Sequence, residues 1–205
     1  MSHFHPEIRQ RAEELVALYP RARSAMLPLL HLAQEQDGYL SEAGIDEVAA
    51  LTGTTSADVR GTAAFYDMFH LEPVGKYVVG VCTNIACLLA GGEEFLEHAS
   101  QKLGCAVGST TSDGLFTLEE TECLADCDKA PCVQVNHRYV RTTTPATFDA
   151  LVDELRDGKL DHDVPAHGTL IRVRRSGGLR VPRQEIVDQR ALATAARAQR
   201  AEEAK

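Results

Sequence analysis

The chain has 205 residues, 44% of them hydrophobic and 25% charged, enough to bury a core without disulfide support. It carries 21 Lys+Arg against 30 Asp+Glu, a net charge of -9, which argues against nonspecific binding to a nucleic-acid backbone. No apolar run approaches the ~20 residues that cross a bilayer, and the polar opening MSHFHPEIRQRAEE lacks the apolar stretch of a secretory signal. The expected location is therefore the cytoplasm.

From Glu7 to Tyr19 the apolar residues Ile8, Ala12, Leu15, Val16 and Tyr19 recur at helical spacing until Pro20 stops the run. A second helix is expected from Ser24 to Glu35, with Ala25, Leu29, Leu32 and Ala33 on one face and Gly38 beyond its end. Ser41 can cap a third helix that ends at Gly53, and Ser56 can cap a fourth from Ala57 to Tyr66. Residues 1–72 thus read as a helical region.

After Pro73 and Gly75 the pattern changes. The run KYVVGVC, Lys76 to Cys82, is β-branched and short enough for a buried strand. A loop holding Cys87 leads into a helix from about Glu93 to Leu103, and Leu115 to Leu118 forms a second short strand after the Asp113-Gly114 turn. Residues 119–131 carry more cysteines than periodicity and read mainly as loop. Cys132 to Asn136 and Tyr139 to Thr142 flank a turn at His137-Arg138, and Thr144-Pro145 starts a helix through about Arg156. Together these make an α/β domain over residues 73–162.

Charge is unevenly placed. Residues 1–165 hold 12 basic and 26 acidic side chains, net -14, whereas residues 166–205 hold 9 and 4, net +5. Residues 163–205 are therefore expected to be a basic, partly extended tail. Its Arg172, Arg174, Arg175, Arg180 and Arg183 suit a clamp on an acidic protein surface.

The six cysteines, Cys82, Cys87, Cys105, Cys123, Cys127 and Cys132, all lie within 51 residues. In a reducing compartment such clustering points to metal ligation or redox chemistry. Cys82-x4-Cys87 is followed after 35 residues by Cys123-x3-Cys127. Four thiolates suit an iron–sulfur cluster or zinc. The spacings are wider than zinc knuckles and differ from plant-type ferredoxin spacing. From spacing alone an iron–sulfur site, a zinc site and buried or thiol-disulfide roles all stand, although no C-x-x-C motif favours the last.

The segments YPRARSAMLPLLHLAQEQDGYLS, KYVVGVCTNIACLLAGG and TSDGLFTLEETECLADCDKAPCVQVN, in that order, resemble the 24 kDa-type thioredoxin-like [2Fe-2S] subunit of NADH-quinone oxidoreductase, respiratory complex I, known in bacteria as the E subunit. The resemblance runs from about Ile8 to His162. It implies an α/β fold, an N-terminal helical bundle followed by a thioredoxin-like [2Fe-2S] ferredoxin domain. It also implies that Cys82, Cys87, Cys123 and Cys127 ligate one cluster per chain. The implied role is electron transfer in the NADH dehydrogenase module, beside a partner subunit that binds FMN and NADH, with other peripheral-arm subunits around it on the cytoplasmic side of the membrane. Equivalent subunits serve NAD-dependent formate dehydrogenases and NAD-reducing hydrogenases, and a zinc-stabilised interaction protein is the competing reading.

Thr83, Asn84 and Ala86, with Leu124 and Ala125 through their amides, are candidates to surround the ligand sulfurs. Thr83 and Asn84 could equally close a polar turn. Cys132 stands where the family usually has an aliphatic residue, which raises Cys127-x4-Cys132 as an alternative pair. A cysteine opening the strand VQVN is more often a small core hydrophobe, and Cys105 reads as buried or semi-buried. His98, His137, His162 and His167 show no convergent carboxylate pattern and read as surface or packing residues. Gly91-Gly92 precedes Glu93-Glu94, which disfavours pyrophosphate, so neither NADH nor flavin is expected on this chain and no complete active site.

Overall fold

The computed structural model describes residues 2–140 and 144–169. Four helices come first: α1 (Pro6–Ala17), α2 (Met26–Asp37), α3 (Glu42–Thr52) and α4 (Ser56–Phe65). A single turn of 3-10 helix, Ala22–Ala25, leads directly into α2. Apolar faces spaced at three and four residues bring Leu29, Leu30, Leu32, Ile45, Val48 and Val59 into one buried core. Ser41 caps α3 by accepting from the Gly44 N–H at 3.0 Å. The cap of α4 is Thr55 rather than Ser56. Asp58 stands three residues after Thr55, and the two side chains and backbones bond reciprocally in a capping box.

The second part contains β1 (Tyr77–Cys82), α5 (Ile85–Leu89), α6 (Gly92–Leu103), β2 (Ser109–Thr110), β3 (Phe116–Thr121), β4 (Val133–Val135), β5 (Arg138–Val140) and α7 (Pro145–Arg156). Its sheet has the order β2-β3-β1-β4-β5, with β1 and β3 parallel and the other neighbours antiparallel. Every residue of the central strand β1 is buried, as its continuous apolar run requires. Helices α6 and α7 pack together, with the Phe95 and Phe148 rings edge to face at 5.4 Å. Thr144 and Pro145 start α7 as the sequence predicts.

The segment after α7 turns back onto the molecule. Val164 joins the core that holds Tyr77, Phe116 and Phe148, and the His167 N–H donates to the Lys76 carbonyl at 2.7 Å. Asn136 holds three strands of chain at once. Its Oδ1 accepts from the Val78 N–H at 2.7 Å, while its Nδ2 donates to the carbonyls of Lys76 and Pro165 at 3.0 and 2.8 Å. Gly168 passes so close to α2 that a Cβ would lie 2.8 Å from the Gln34 carbonyl oxygen, and its φ of +79° also favours glycine.

Histidines gather at this junction between the helical part and the sheet. The ring of His167, 9% exposed, stands edge-on to His70 at 4.6 Å, and His137 lies 6.5 Å away. His70 Nδ1 is 3.5 Å from the Glu119 carboxylate, whereas His70 Nε2 and both His167 ring nitrogens are buried without a hydrogen-bond partner. Burial, with His70 and then His137 adding to it, pushes His167 down to about 4. Residues 170–205 of the expected tail, and with them the arginine clamp, lie outside the described residues. Among the described residues no helix is long and apolar enough to cross a membrane.

Candidate metal centre

Cys82 is the last residue of β1, and its register partner on the parallel neighbour β3 is Thr121, the last residue there. Parallel neighbours deliver their C-terminal ends to one edge of the sheet, where ligands of open α/β sheets usually bind. The loop to Cys87 and the loop carrying Cys123 and Cys127 therefore leave the sheet side by side. The expected loop around Cys87 is a short helix, α5, because Asn84 accepts from the Ile85 N–H at 2.9 Å and closes its first turn. Thr83 Oγ1 donates to the Glu120 carboxylate at 2.5 Å. These two side chains thus close the polar turn.

Gly92 explains how α6 starts so close behind this loop. A Cβ on it would lie 2.8 Å from the Cys87 carbonyl oxygen and 2.9 Å from that of Cys82, distances that a methyl group cannot occupy without moving backbone. The glycine therefore fixes the position of both cysteines relative to α6.

Cys82, Cys87 and Cys132 are buried together, at 2%, 1% and 4% exposure, with Leu124 and Ala130 packed against them. Cys123 and Cys127 are exposed, and Cys105 is half-buried near the end of α6. Two thiol-to-carbonyl bonds attach the second loop: Cys82 Sγ donates to the Glu122 carbonyl at 2.6 Å, and Cys132 Sγ to the Asp126 carbonyl at 2.9 Å. Each acceptor precedes an exposed cysteine by one residue. Ala125 takes a left-handed φ of +58° in this loop, and the Tyr139 hydroxyl donates to the Leu124 carbonyl.

Among the described residues no three ligating side chains already converge on one point. What is built is a buried pair, Cys82 and Cys87, and an exposed pair, Cys123 and Cys127, on adjacent loops tied together beside one another. A donor set of four thiols, without carboxylate or imidazole, fits a soft-ligand centre of the iron–sulfur or zinc type. Burial pushes the Cys87 thiol up, while the Cys132 N–H, directed at its sulfur, acts downward. Burial and the neighbouring Cys87, Cys82 and Asp126 push Cys132 up to about 12.

The surroundings are acidic on one side and apolar on another. Asp67, Glu119 and Glu122 line a cleft of about 350 Å³ that reaches Cys123, and burial followed by the Asp67 charge raises Glu119 above the usual carboxylate range. Around Cys87, Ile85 and Leu89 are 72% and 84% exposed. The packing of Cys132 on Cys82 and Cys87 is not visible in cysteine spacing. The clue to it is the VQV run that makes β4, since β4 pairs antiparallel with β1 and sets Cys132 opposite Cys82, with the Cys82 N–H donating to its carbonyl at 3.0 Å.

Residues 12–156 match the family described as thioredoxin-like [2Fe-2S] ferredoxin. The E subunit of NADH-quinone oxidoreductase from Mycobacterium tuberculosis is 46% identical over 145 residues, which are 71% of this chain and 58% of that protein. The chain thus spans little more than half of that relative's length. NADH-quinone oxidoreductase subunit 2 of Thermus thermophilus is 40% identical over 159 residues, 76% of this chain and 88% of the relative. Among solved structures, an NAD+-reducing [NiFe]-hydrogenase in the air-oxidized state is similar with a TM-score of 0.58 and 23% identity, over 65% of this chain and 23% of that one, a likeness of fold.

Proposed function

The chain belongs to the thioredoxin-like [2Fe-2S] ferredoxin family, and from that premise we propose that it is the electron-transfer subunit of the NADH dehydrogenase module of an NADH-quinone oxidoreductase, with Cys82, Cys87, Cys123 and Cys127 as the ligands of its cluster. The observation that carries the ligand assignment is the parallel register of β1 with β3, which sends both cysteine pairs off one end of the sheet. When bound, a [2Fe-2S] cluster accepts and releases single electrons. The chain's own residues then supply position and environment. Cys82 and Cys87 form the buried floor, Gly92 lets α6 start close against it, and the second loop would have to close Cys123 and Cys127 onto it when the cluster binds.

Residues 73–162 contain every proposed ligand, and residues 1–72 offer helical surface for neighbouring subunits. The relatives named above are subunits of larger oxidoreductases. The exposed Ile85 and Leu89, on the helix that carries Cys87, offer apolar area to a flavin- and NADH-binding partner. We place the subunit on the cytoplasmic side of the membrane, where thiols stay reduced for ligation.

The test is iron, sulfide and zinc analysis with visible and EPR spectra of anaerobically purified protein. The expected result is two iron and two sulfide per chain, lost when any of the four ligands becomes serine and kept in Cys105→Ala. Stoichiometric zinc with negligible iron would overturn the assignment.

A further inference from the structure

We propose that Cys132 is a positioning residue for the metal centre, whose S–H bond to the Asp126 carbonyl holds the second cysteine loop in the conformation that presents Cys127. The inference rests on the ligand assignment made above and adds to it a fifth cysteine that does not ligate.

Three observations support it. Cys132 is 4% exposed and its donor distance to the Asp126 carbonyl oxygen is 2.9 Å, so the thiol end of this part-buried bond is shielded from water. Asp126 immediately precedes Cys127, the first residue of a short 3-10 turn, Cys127–Lys129. A carbonyl fixed there fixes the peptide that leads into the ligand. Finally, Cys132 is anchored at its own backbone, because its carbonyl accepts from the Cys82 N–H at 3.0 Å beside the β1–β4 pairing. The thiol therefore connects the rigid central strand to the exposed ligand loop.

The loop has a second such tie, from Cys82 Sγ to the Glu122 carbonyl at 2.6 Å. The two are not equivalent. A sulfur that ligates iron has given up its proton and can no longer donate to a carbonyl. The Cys82 tie is thus lost on ligation, whereas Cys132, outside the ligand set, keeps its proton and its bond. An aliphatic side chain at this position would fill the space and leave the Asp126 carbonyl without this donor.

The experiment compares the wild-type full chain with Cys132→Val and Cys132→Ser, with Cys123→Ser as the ligand control. Iron and sulfide content are measured first, then the rate of cluster loss to an iron chelator under anaerobic conditions, the EPR spectrum of the reduced protein, and amide hydrogen exchange of residues 122–128. Cys132→Val is expected to load with iron but to lose it roughly twofold faster, the factor corresponding to one weak hydrogen bond of about 0.5 kcal/mol. Its EPR line should change and exchange in residues 122–128 should quicken. Cys132→Ser, which restores a donor, should return all three readouts toward wild type.

Equal rates of loss and unchanged exchange in Cys132→Val would overturn the proposal. So would Cys132→Ser matching Cys132→Val, since the effect would then follow from packing and not from the donor. If Cys132→Ser and Cys132→Val bind no iron while Cys123→Ser keeps it, Cys132 is itself a ligand, and the four-cysteine assignment fails along with its positioning role.

Discussion

Acid should weaken this fold through one buried imidazole. His167 is held at about 4 by burial and by His70 and His137, against 6.5 for the ordinary side chain. The neutral ring is the folded form, so the unfolded chain takes up a proton as pH falls below 6.5 while the folded chain does not. Stability is fully present above that pH, declines between 6.5 and about 4, and levels off below. The whole difference corresponds to about 3 kcal/mol, and roughly 2 kcal/mol of it is gone by pH 5. His70 and His31 are also lowered, chiefly by burial, and act in the same direction. The groups facing His167 are His70 and His137, with Glu119 behind His70. His167→Phe keeps an aromatic ring in place and removes the titration. Urea unfolding midpoints of both proteins between pH 7.5 and 5 isolate the effect, because the other groups are common to both. Wild type should lose about 2 kcal/mol relative to His167→Phe over that interval. Parallel curves for the two proteins would refute the reasoning, and so would a wild type that gains on the variant toward acid.

Other changes bear on the metal centre. Gly92→Ala sets a methyl against the carbonyls of Cys82 and Cys87; we expect a cost of about 1–3 kcal/mol and reduced iron content, read by denaturant unfolding and by iron analysis. Ile85→Asp with Leu89→Asp alters only exposed side chains, so iron content should hold while affinity for the proposed flavin-binding partner falls, as measured by calorimetry. Phe148→Ala empties a fully buried site between α6 and α7 and should lower stability by about 3–5 kcal/mol in urea unfolding. Glu122→Gln removes a negative charge beside Cys123 and should move the cluster's reduction potential upward in a potentiometric EPR titration, since an added electron is then less opposed.

Much of the architecture is legible in the sequence because it is local. Period-three-and-four apolar spacing marks α1 to α4, the YVVGVC run marks the buried strand β1, and Thr144-Pro145 marks the start of α7. The two-residue strand β2 carries no pattern of its own and exists only because β3 pairs with it. Helix α5 reads as loop because five residues hold too little periodicity to show. The cysteine pairs are visible as spacing, but the proximity of Cys132 to Cys82 depends on β4 crossing to the far side of β1 from β3. The histidine junction is equally hidden. His70 and His167 are 97 positions apart in the chain, and only the return of the segment after α7 brings their rings to 4.6 Å.

The unequal burial of the cysteines gives the centre a back and a front. Cys82 and Cys87 sit behind the sheet edge, while Cys123 and Cys127 face outward. Small chelators and oxidants can reach the sulfurs only from the front, so attack and damage begin there. In the proposed assembly, any subunit that covers this face would shield the two exposed sulfurs, so the cluster should be longest-lived inside the complex.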